Sequence, residues 1–173
     1  MTKLKEALNL GKWTERDLDE LIGASAKTEN LSLRIEVLSE QFLGVDYGES
    51  TLIGDMGNHE VLAVNLERVD CFTFIDYVEA MRLSRSFEEF KENLVKVRYQ
   101  SGKVSYLQRN HFFTDWVEFN GKRVTDVTGV VGGEAAKRTT KTLNLKEDGT
   151  LLLKGIVPRS REITFIPSES VDE

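Results

Sequence analysis

Residues 61–83 have the sequence Val61-Leu-Ala-Val-Asn-Leu-Glu-Arg-Val-Asp-Cys-Phe-Thr-Phe-Ile-Asp-Tyr-Val-Glu-Ala-Met-Arg-Leu83. They predict a strand followed by a helix, and the rest of the fold is predicted around this pair. The apolar beginning of this stretch, residues 61–66, predicts a short buried strand. From Asp70 to Leu83 apolar side chains recur at helical spacing and predict the strongest helix of the chain. Asp70 is a suitable N-cap, so Cys71 is expected to open this helix.

The segments around this stretch predict helices first and strands later. Helices are predicted for residues 13–26, 30–42 and 87–97, with the caps Thr14, Asn30 and Ser86. A glycine-rich loop is predicted for residues 44–60, and a turn for residues 129–133. Short strands are predicted for residues 103–108, 121–128, 143–145, 151–153 and 163–166. This order is typical of an α+β fold.

Composition excludes several classes of protein. The chain has 173 residues, and its 23 basic and 29 acidic residues give a net charge of -6. The basic residues are dispersed among acids, so no nucleic-acid partner is predicted. No apolar run approaches the ~20 residues that a membrane helix needs. The basic N-terminus is not followed by an apolar run, so no signal peptide is predicted in this chain.

Cys71 is the first candidate for chemistry. It is the sole cysteine, so an intrachain disulfide cannot form. The beginning of a helix favours an anion, and thiolate is the nucleophilic form of cysteine. The neighbouring Asp70 opposes that effect, although capping bonds should absorb part of its charge. The alternative is a small buried cysteine without a catalytic role.

The segment Arg109-Asn-His-Phe-Phe-Thr-Asp-Trp116 is the second candidate. His111 could serve as a general base, and Asp115 could orient its ring if the segment is helical. Arg109, Asn110 and Trp116 are the residue types that line a polar ligand pocket. The alternative is a surface turn whose aromatic side chains pack inward.

Two further residues carry weaker signals. His59 lies in the glycine-rich loop and is expected to be exposed without a function. Asp126 could be an orienting carboxylate, but a turn cap is the favoured interpretation. Cys71, His59 and His111 have no recognised zinc-ligand spacing, so neither a metal nor a cofactor is predicted.

Four segments together resemble a known family: residues 42–47, 64–74, 97–99 and 109–116. They are similar to the N-acetylmuramoyl-L-alanine amidase-like family, formerly a domain of unknown function, among the NlpC-type, papain-like cell-wall cysteine hydrolases. The resemblance implies an α+β, papain-like (NlpC-type) fold whose N-terminal helices pack on a small antiparallel sheet. It begins near residue 30, which implies one catalytic domain, 1–173, with a helical extension (1–29) before an amidase-like core (30–173).

The resemblance also implies an activity. Family members hydrolyse amide bonds in peptidoglycan, notably the bond between muramic acid and L-alanine. Cys71 then matches the nucleophile, and the remaining matched positions are implied to bind the substrate: Tyr47, Asp70, Arg109, Asn110, His111, Asp115 and Trp116. The implied partners are peptidoglycan fragments, and the implied location is the periplasm or the cell envelope.

One feature departs from the family. The superfamily's general-base histidine lies on a strand in the C-terminal half, and this chain has no histidine after His111. The resemblance therefore implies a core that lacks its C-terminal strands, with His111 as a substrate-pocket residue. Two alternatives stay open: a complete triad of Cys71, His111 and Asp115, or a non-catalytic module that binds cell-wall peptide or a protein.

Overall fold

A computed structural model describes residues 5–171, which form two compact units that divide after Asn110. The ends of the predicted extension (1–29) and core (30–173) therefore lie partly outside the described range, and this division stays a prediction. In the first unit the elements are β1 (Glu6–Asn9), α1 (Glu15–Ser25), α2 (Leu31–Glu40), β2 (Asp46–Tyr47), β3 (Leu62–Asn65), β4 (Arg68–Val69), α3 (Cys71–Arg82) and α4 (Phe87–Arg98).

The four predicted helices of this unit are confirmed, and so are their N-caps. The side chains of Thr14, Asn30, Asp70 and Ser86 each accept a hydrogen bond from the third helical N–H group. At α4, a capping box would need Glu89 to accept from the N–H of the cap residue Ser86. The Glu89 carboxylate accepts from the N–H of Arg85, at 2.8 Å, and not from the cap residue itself.

The strand pairs of the first unit are parallel, so the expectation that its helices pack on an antiparallel sheet is wrong there. β1 pairs with β3, and β2 pairs with β4. The physical reason is the connection: α1 and α2 lie between β1 and β3 and return the chain in its original direction. β3 is buried as predicted, with Leu62 at 0% and Val64 at 1% exposure.

A buried ion pair joins the central elements of this unit. Arg98 of α4 donates from Nε to Oδ2 of Asp76 on α3, at 2.7 Å, and from Nη1 to the carbonyl oxygen of Ala63 on β3, at 2.6 Å. Burial opposes the charge of Arg98, but the charge and hydrogen bond of Asp76, together with the neighbouring tyrosines, outweigh it and raise the pKa of the guanidinium. The pair therefore fixes α3, which begins with Cys71, against α4 and β3.

The second unit contains the antiparallel strands. Its elements are α5 (Phe113–Phe119), α6 (Thr128–Gly132), β5 (Lys137–Leu143) and β6 (Arg159–Phe165). β5 and β6 pair with Lys137 opposite Phe165 and Leu143 opposite Arg159. None of the helices in residues 5–171 is both long and apolar enough to cross a bilayer.

The predicted strands at 103–108, 121–128 and 151–153 are not formed, and one predicted turn is helical. Of the predicted strand 143–145, only Leu143 belongs to a strand, and Leu145 and Leu151 make an isolated bridge. Residues 103–108 follow a tight turn in which Ser101 and Gly102 have positive φ, and they end in a 3₁₀ turn at Tyr106–Gln108. Residues 121–128 form a turn that leads into α6, and the predicted turn at 129–133 is mostly that helix. At 103–108 and 121–128 the weak alternation is not matched by a paired strand among the described residues.

Candidate functional site

Cys71 lies where the parallel strand β4 passes directly into α3. The turn is fixed by Asp70, whose Oδ1 accepts hydrogen bonds from the N–H of Thr73 at 2.7 Å and from its Oγ1 at 2.8 Å. In return, Oγ1 of Thr73 accepts the N–H of Asp70 at 3.0 Å. This reciprocal cap makes Cys71 the first residue of a 12-residue helix, as the sequence predicts.

The Cys71 residue is exposed and has a free thiol. The alternative of a small buried cysteine is therefore wrong. Its place at the start of α3 lets the unpaired N–H groups and the helix dipole stabilise negative charge. Chemically, the arrangement can present a thiolate to a ligand from solvent.

Tyr47 lies beside Cys71 because of the β2–β4 pairing. Tyr47 is opposite Val69 in register, and the N–H of Gly48 donates to the carbonyl oxygen of Val69 at 3.0 Å. Partial desolvation, followed by the negative charges of Cys71, Glu49 and Asp70, raises the pKa of the Tyr47 phenol. The phenol therefore stays protonated at neutral pH and can donate a hydrogen bond. The structure brings Tyr47, Asp70 and Cys71 together.

Arg109 and Asn110 bind other parts of their own unit. Nη2 of Arg109 donates to Oε2 of Glu60 at 2.6 Å and to the carbonyl oxygen of Gly54 at 2.9 Å. Asn110 is 3% exposed, and its Nδ2 donates to the carbonyl oxygen of Val97 at 3.1 Å. Both side chains therefore stabilise the fold of the first unit through intramolecular hydrogen bonds. Their role as substrate-binding residues stays a prediction.

Three predicted site residues lie in the second unit. His111 is half-buried. It precedes α5, so it lies outside that helix. Asp115 accepts a hydrogen bond from Nη2 of Arg161 at 2.6 Å, and Trp116 is buried and stacks on Phe113 with 6.0 Å between ring centroids. Their role in binding substrate stays a prediction.

The structure also describes the two weaker candidates. His59 is exposed, as expected. Asp126 is a turn cap, because its Oδ1 accepts from the N–H and Oγ1 of Thr128 at 2.9 and 2.6 Å. Among residues 5–171, no three His, Cys, Asp or Glu side chains come together in a way that could hold a metal ion.

Sequence reasoning missed one buried residue beside Arg109. Glu60 is a buried acceptor for Arg109 and for the hydroxyl of Tyr99, which donates at 2.8 Å. No local pattern signals this role, because its partners are far away in sequence.

Two solved structures are similar to this chain. One is a Legionella pneumophila protein of the DUF1460 family, with 24% identity and a TM-score of 0.70 over 90% of this chain and 65% of that chain. The other is an N-acetylmuramoyl-L-alanine amidase from Bacteroides uniformis, with 30% identity and a TM-score of 0.50 over 65% of this chain and 48% of that chain. The chain thus spans about two thirds and about half of these proteins.

No curated protein matches the chain. A family model described as AmiA-like, N-acetylmuramoyl-L-alanine amidase-like, matches residues 37–173. This range includes the cap at Asp70, the exposed Cys71 and the six other candidate site residues. Since the match spans most of the sequence, the chain belongs to the N-acetylmuramoyl-L-alanine amidase-like family.

Proposed function

We propose that this protein is a cysteine-dependent amidase that hydrolyses peptidoglycan fragments at the bond between the N-acetylmuramoyl group and L-alanine. The observation that carries the proposal is the exposed Cys71 at the start of α3, beside Tyr47. Family membership and the similarity to a Bacteroides uniformis amidase support it. We further propose a papain-like, NlpC-type fold and a role in the cell envelope.

The reaction divides into two steps. The Cys71 thiol gives its proton to solvent water, and the thiolate attacks the amide carbonyl carbon. The resulting oxyanion collapses to a thioester as the C–N bond breaks, and the L-alanyl amine leaves with a proton taken back from water. Water then cleaves the thioester, which releases the muramic acid and restores the thiol. We assign the N–H groups of Cys71 and Phe72 as oxyanion donors, because Asp70 already accepts the N–H of Thr73. Tyr47 donates its phenol proton in a hydrogen bond to the bound substrate.

The test is release of alanyl peptide from N-acetylmuramoyl-L-alanyl peptides by the whole chain. Wild type should release it, and Cys71→Ala should lower kcat/KM by at least about 10³-fold, because no covalent intermediate can form. Cys71→Ser is the conservative control and should also be inactive, since an alcohol lacks the acidity of a thiol. Binding without release by the wild type would contradict the proposal and favour the non-catalytic module.

His111 is tested in the same assay. If it contacts substrate, His111→Gln should raise KM and leave the pH profile of kcat unchanged. If it is the base of a triad with Cys71 and Asp115, the substitution should lower kcat by about 10²–10⁴-fold and remove one limb of the pH profile. We propose the first of these roles for His111, and the second result would overturn it.

A further inference from the structure

One face of the β5–β6 strand pair carries basic and apolar side chains but no carboxylate. In an antiparallel pair, residues directly opposite each other point to the same face, and successive residues alternate between the two faces. The register of the pair therefore defines one face, which we call the cationic face: Lys137, Thr139, Lys141, Leu143, Arg159, Arg161, Ile163 and Phe165. Four of these eight side chains are basic, and none is acidic.

The opposite face of the pair makes its contacts within the protein. Arg138 lies 3.6 Å from the carboxylate of Glu162, so these two charges compensate each other. Helix α6 packs on this face, since a Cβ atom placed on Gly129 would be 3.8 Å from Cγ2 of Thr164. This face therefore has a partner helix and paired charges.

The basic groups of the cationic face are mostly unpaired. Arg161 is the exception, because its Nη2 donates to Oδ1 of Asp115 at 2.6 Å. Lys137, Lys141 and Arg159 are exposed, and among residues 5–171 no carboxylate forms an ion pair with them. Their positive charge is therefore available to an anionic ligand from solvent.

A cavity of about 300 Å³ opens on the cationic face. It is lined by Thr139, Lys141, Ile163 and Phe165. Ile163 is half-buried and Phe165 is 39% exposed, so solvent reaches two apolar side chains of the lining. A concave apolar surface beside unpaired cations is typical of a ligand-binding site.

Charge and spacing indicate the chemistry of the occupant. Residues 137–165 contain seven basic and three acidic residues, whereas the whole chain has a net charge of -6. Lys137 and Lys141 are four residues apart on β5, which separates their Cα atoms by ~13 Å, and Thr139 of the cavity lies midway. An extended peptide that carries several carboxylates and a small apolar side chain matches both the cations and the cavity.

Two other occupants match this face less well. A second copy of the chain that used the same face would place Lys137 and Lys141 against like charges. A flat lipid surface would leave the cavity between the cations unfilled. The observations therefore favour an extended acidic peptide.

We infer that the cationic face of the second unit binds carboxylate-bearing peptides of peptidoglycan, with a small apolar side chain of the peptide in the cavity at Thr139. The choice of peptidoglycan as the polymer rests on the proposed function. The preference for carboxylates rests on Lys137, Lys141 and Arg159, and it can be measured without any hydrolysis.

The first experiment measures co-sedimentation of the whole Cys71→Ala chain with purified peptidoglycan at low salt. Lys137→Gln with Lys141→Gln should weaken the apparent affinity by at least about fivefold, because two exposed ion pairs with the peptide are lost. Amidation of the peptidoglycan carboxyl groups should weaken binding of the parent chain to the same degree and leave the double variant nearly unchanged. Binding that is equal with native and amidated peptidoglycan would overturn the inference.

The matched control is Arg138→Gln with Lys146→Gln. It removes the same net charge from the opposite face and from the loop after β5, where both residues are exposed. It should change the apparent affinity by less than about twofold. Equal losses in the two double variants would show that bulk charge attracts the polymer, which would overturn the assignment to the cationic face.

The second experiment tests the cavity with Thr139→Tyr, which fills it with a residue that strands favour. All cations remain, and we expect peptidoglycan binding to weaken by about threefold while the urea midpoint stays near the parent value. Unchanged binding would contradict the role of the cavity. Binding to phosphatidylglycerol vesicles in place of peptidoglycan, or a dimer that Lys137→Gln with Lys141→Gln abolishes, would identify another occupant and overturn the inference.

Failure of this inference and failure of the proposed function give different results. Carboxylate-dependent binding by a wild-type chain that releases no alanyl peptide would contradict only the amidase activity. Release of alanyl peptide by a chain whose binding is the same with native and amidated peptidoglycan would contradict only the docking role of the cationic face.

Discussion

Among the single residues, Arg109 is of a type that often binds ligands, but in this structure its side chain binds the protein itself. Its guanidinium lies against Glu60, whose side chain is 2% exposed. A buried carboxylate that loses its cation is costly because no water replaces the lost partner. We therefore expect Arg109→Gln to destabilise the first unit by about 2–4 kcal/mol, as measured by urea unfolding. Arg85→Gln is the exposed control and should change the unfolding free energy by less than about 0.5 kcal/mol.

Arg109 could still contact substrate, and the two roles are separable. If its main role is substrate binding, Arg109→Gln would raise KM while the urea midpoint stays at the wild-type value. That outcome would contradict the structural role that its contacts with Glu60 and Gly54 indicate.

Tyr99 gives a prediction about alkaline pH. Burial raises the pKa of its phenol well above the ordinary value, and Glu60 adds to this against the opposing charge of Arg98. Above about pH 10 the unfolded chain loses this proton while the folded chain keeps it, so stability falls as pH rises. The loss attributable to Tyr99 should be about 1.4 kcal/mol per pH unit there.

We expect Tyr99→Phe to show a smaller loss of unfolding free energy between pH 9 and 11 than the wild type. Urea titrations at several pH values measure this difference, and comparison of the two proteins cancels the titration of lysines. Below pH 9 the two curves should run in parallel. Parallel curves up to pH 11 would show that burial does not hold the Tyr99 proton.

At the scale of elements, the reciprocal cap of Asp70 and Thr73 determines where α3 begins. Asp70→Ala should destabilise the protein by about 1 kcal/mol, because an N-cap acceptor is lost. Asp70→Asn keeps the acceptor and should cost much less. Urea unfolding of the two variants checks this, and equal destabilisation by both would mean that the charge of Asp70 matters more than its capping bond.

The helices of the first unit could be predicted from the sequence, because caps and apolar spacing are local signals. Strand direction and pairing could not, since they depend on where α1 and α2 return the chain. β5 was missed for a similar reason: most of its side chains are polar, and only the pairing with β6 stabilises it. The start of α3 at Cys71 could be predicted from the local N-cap signal. The partners of Arg109 could not be predicted, because they are distant from it in sequence.

At the scale of the whole molecule, the second unit exposes large apolar side chains that include Val130 at 84%, Val131 at 73% and Val157 at 72%. Exposed apolar surface of this kind promotes association. We expect the chain to self-associate as its concentration rises, as measured by light scattering coupled to gel filtration. Val130→Ser with Val131→Ser should reduce association, and a monomer at all concentrations would contradict this expectation.

The proposed amidase activity requires Cys71 to form a covalent bond with the substrate acyl group, and intact-mass spectrometry can detect that bond. The protein is mixed with N-acetylmuramoyl-L-alanyl peptide and quenched in acid within the first turnover. We expect a species heavier by the mass of the N-acetylmuramoyl acyl group, located on Cys71 by digestion and absent from Cys71→Ala. Peptide release by Cys71→Ala at the wild-type rate, with no adduct on the wild type, would contradict it.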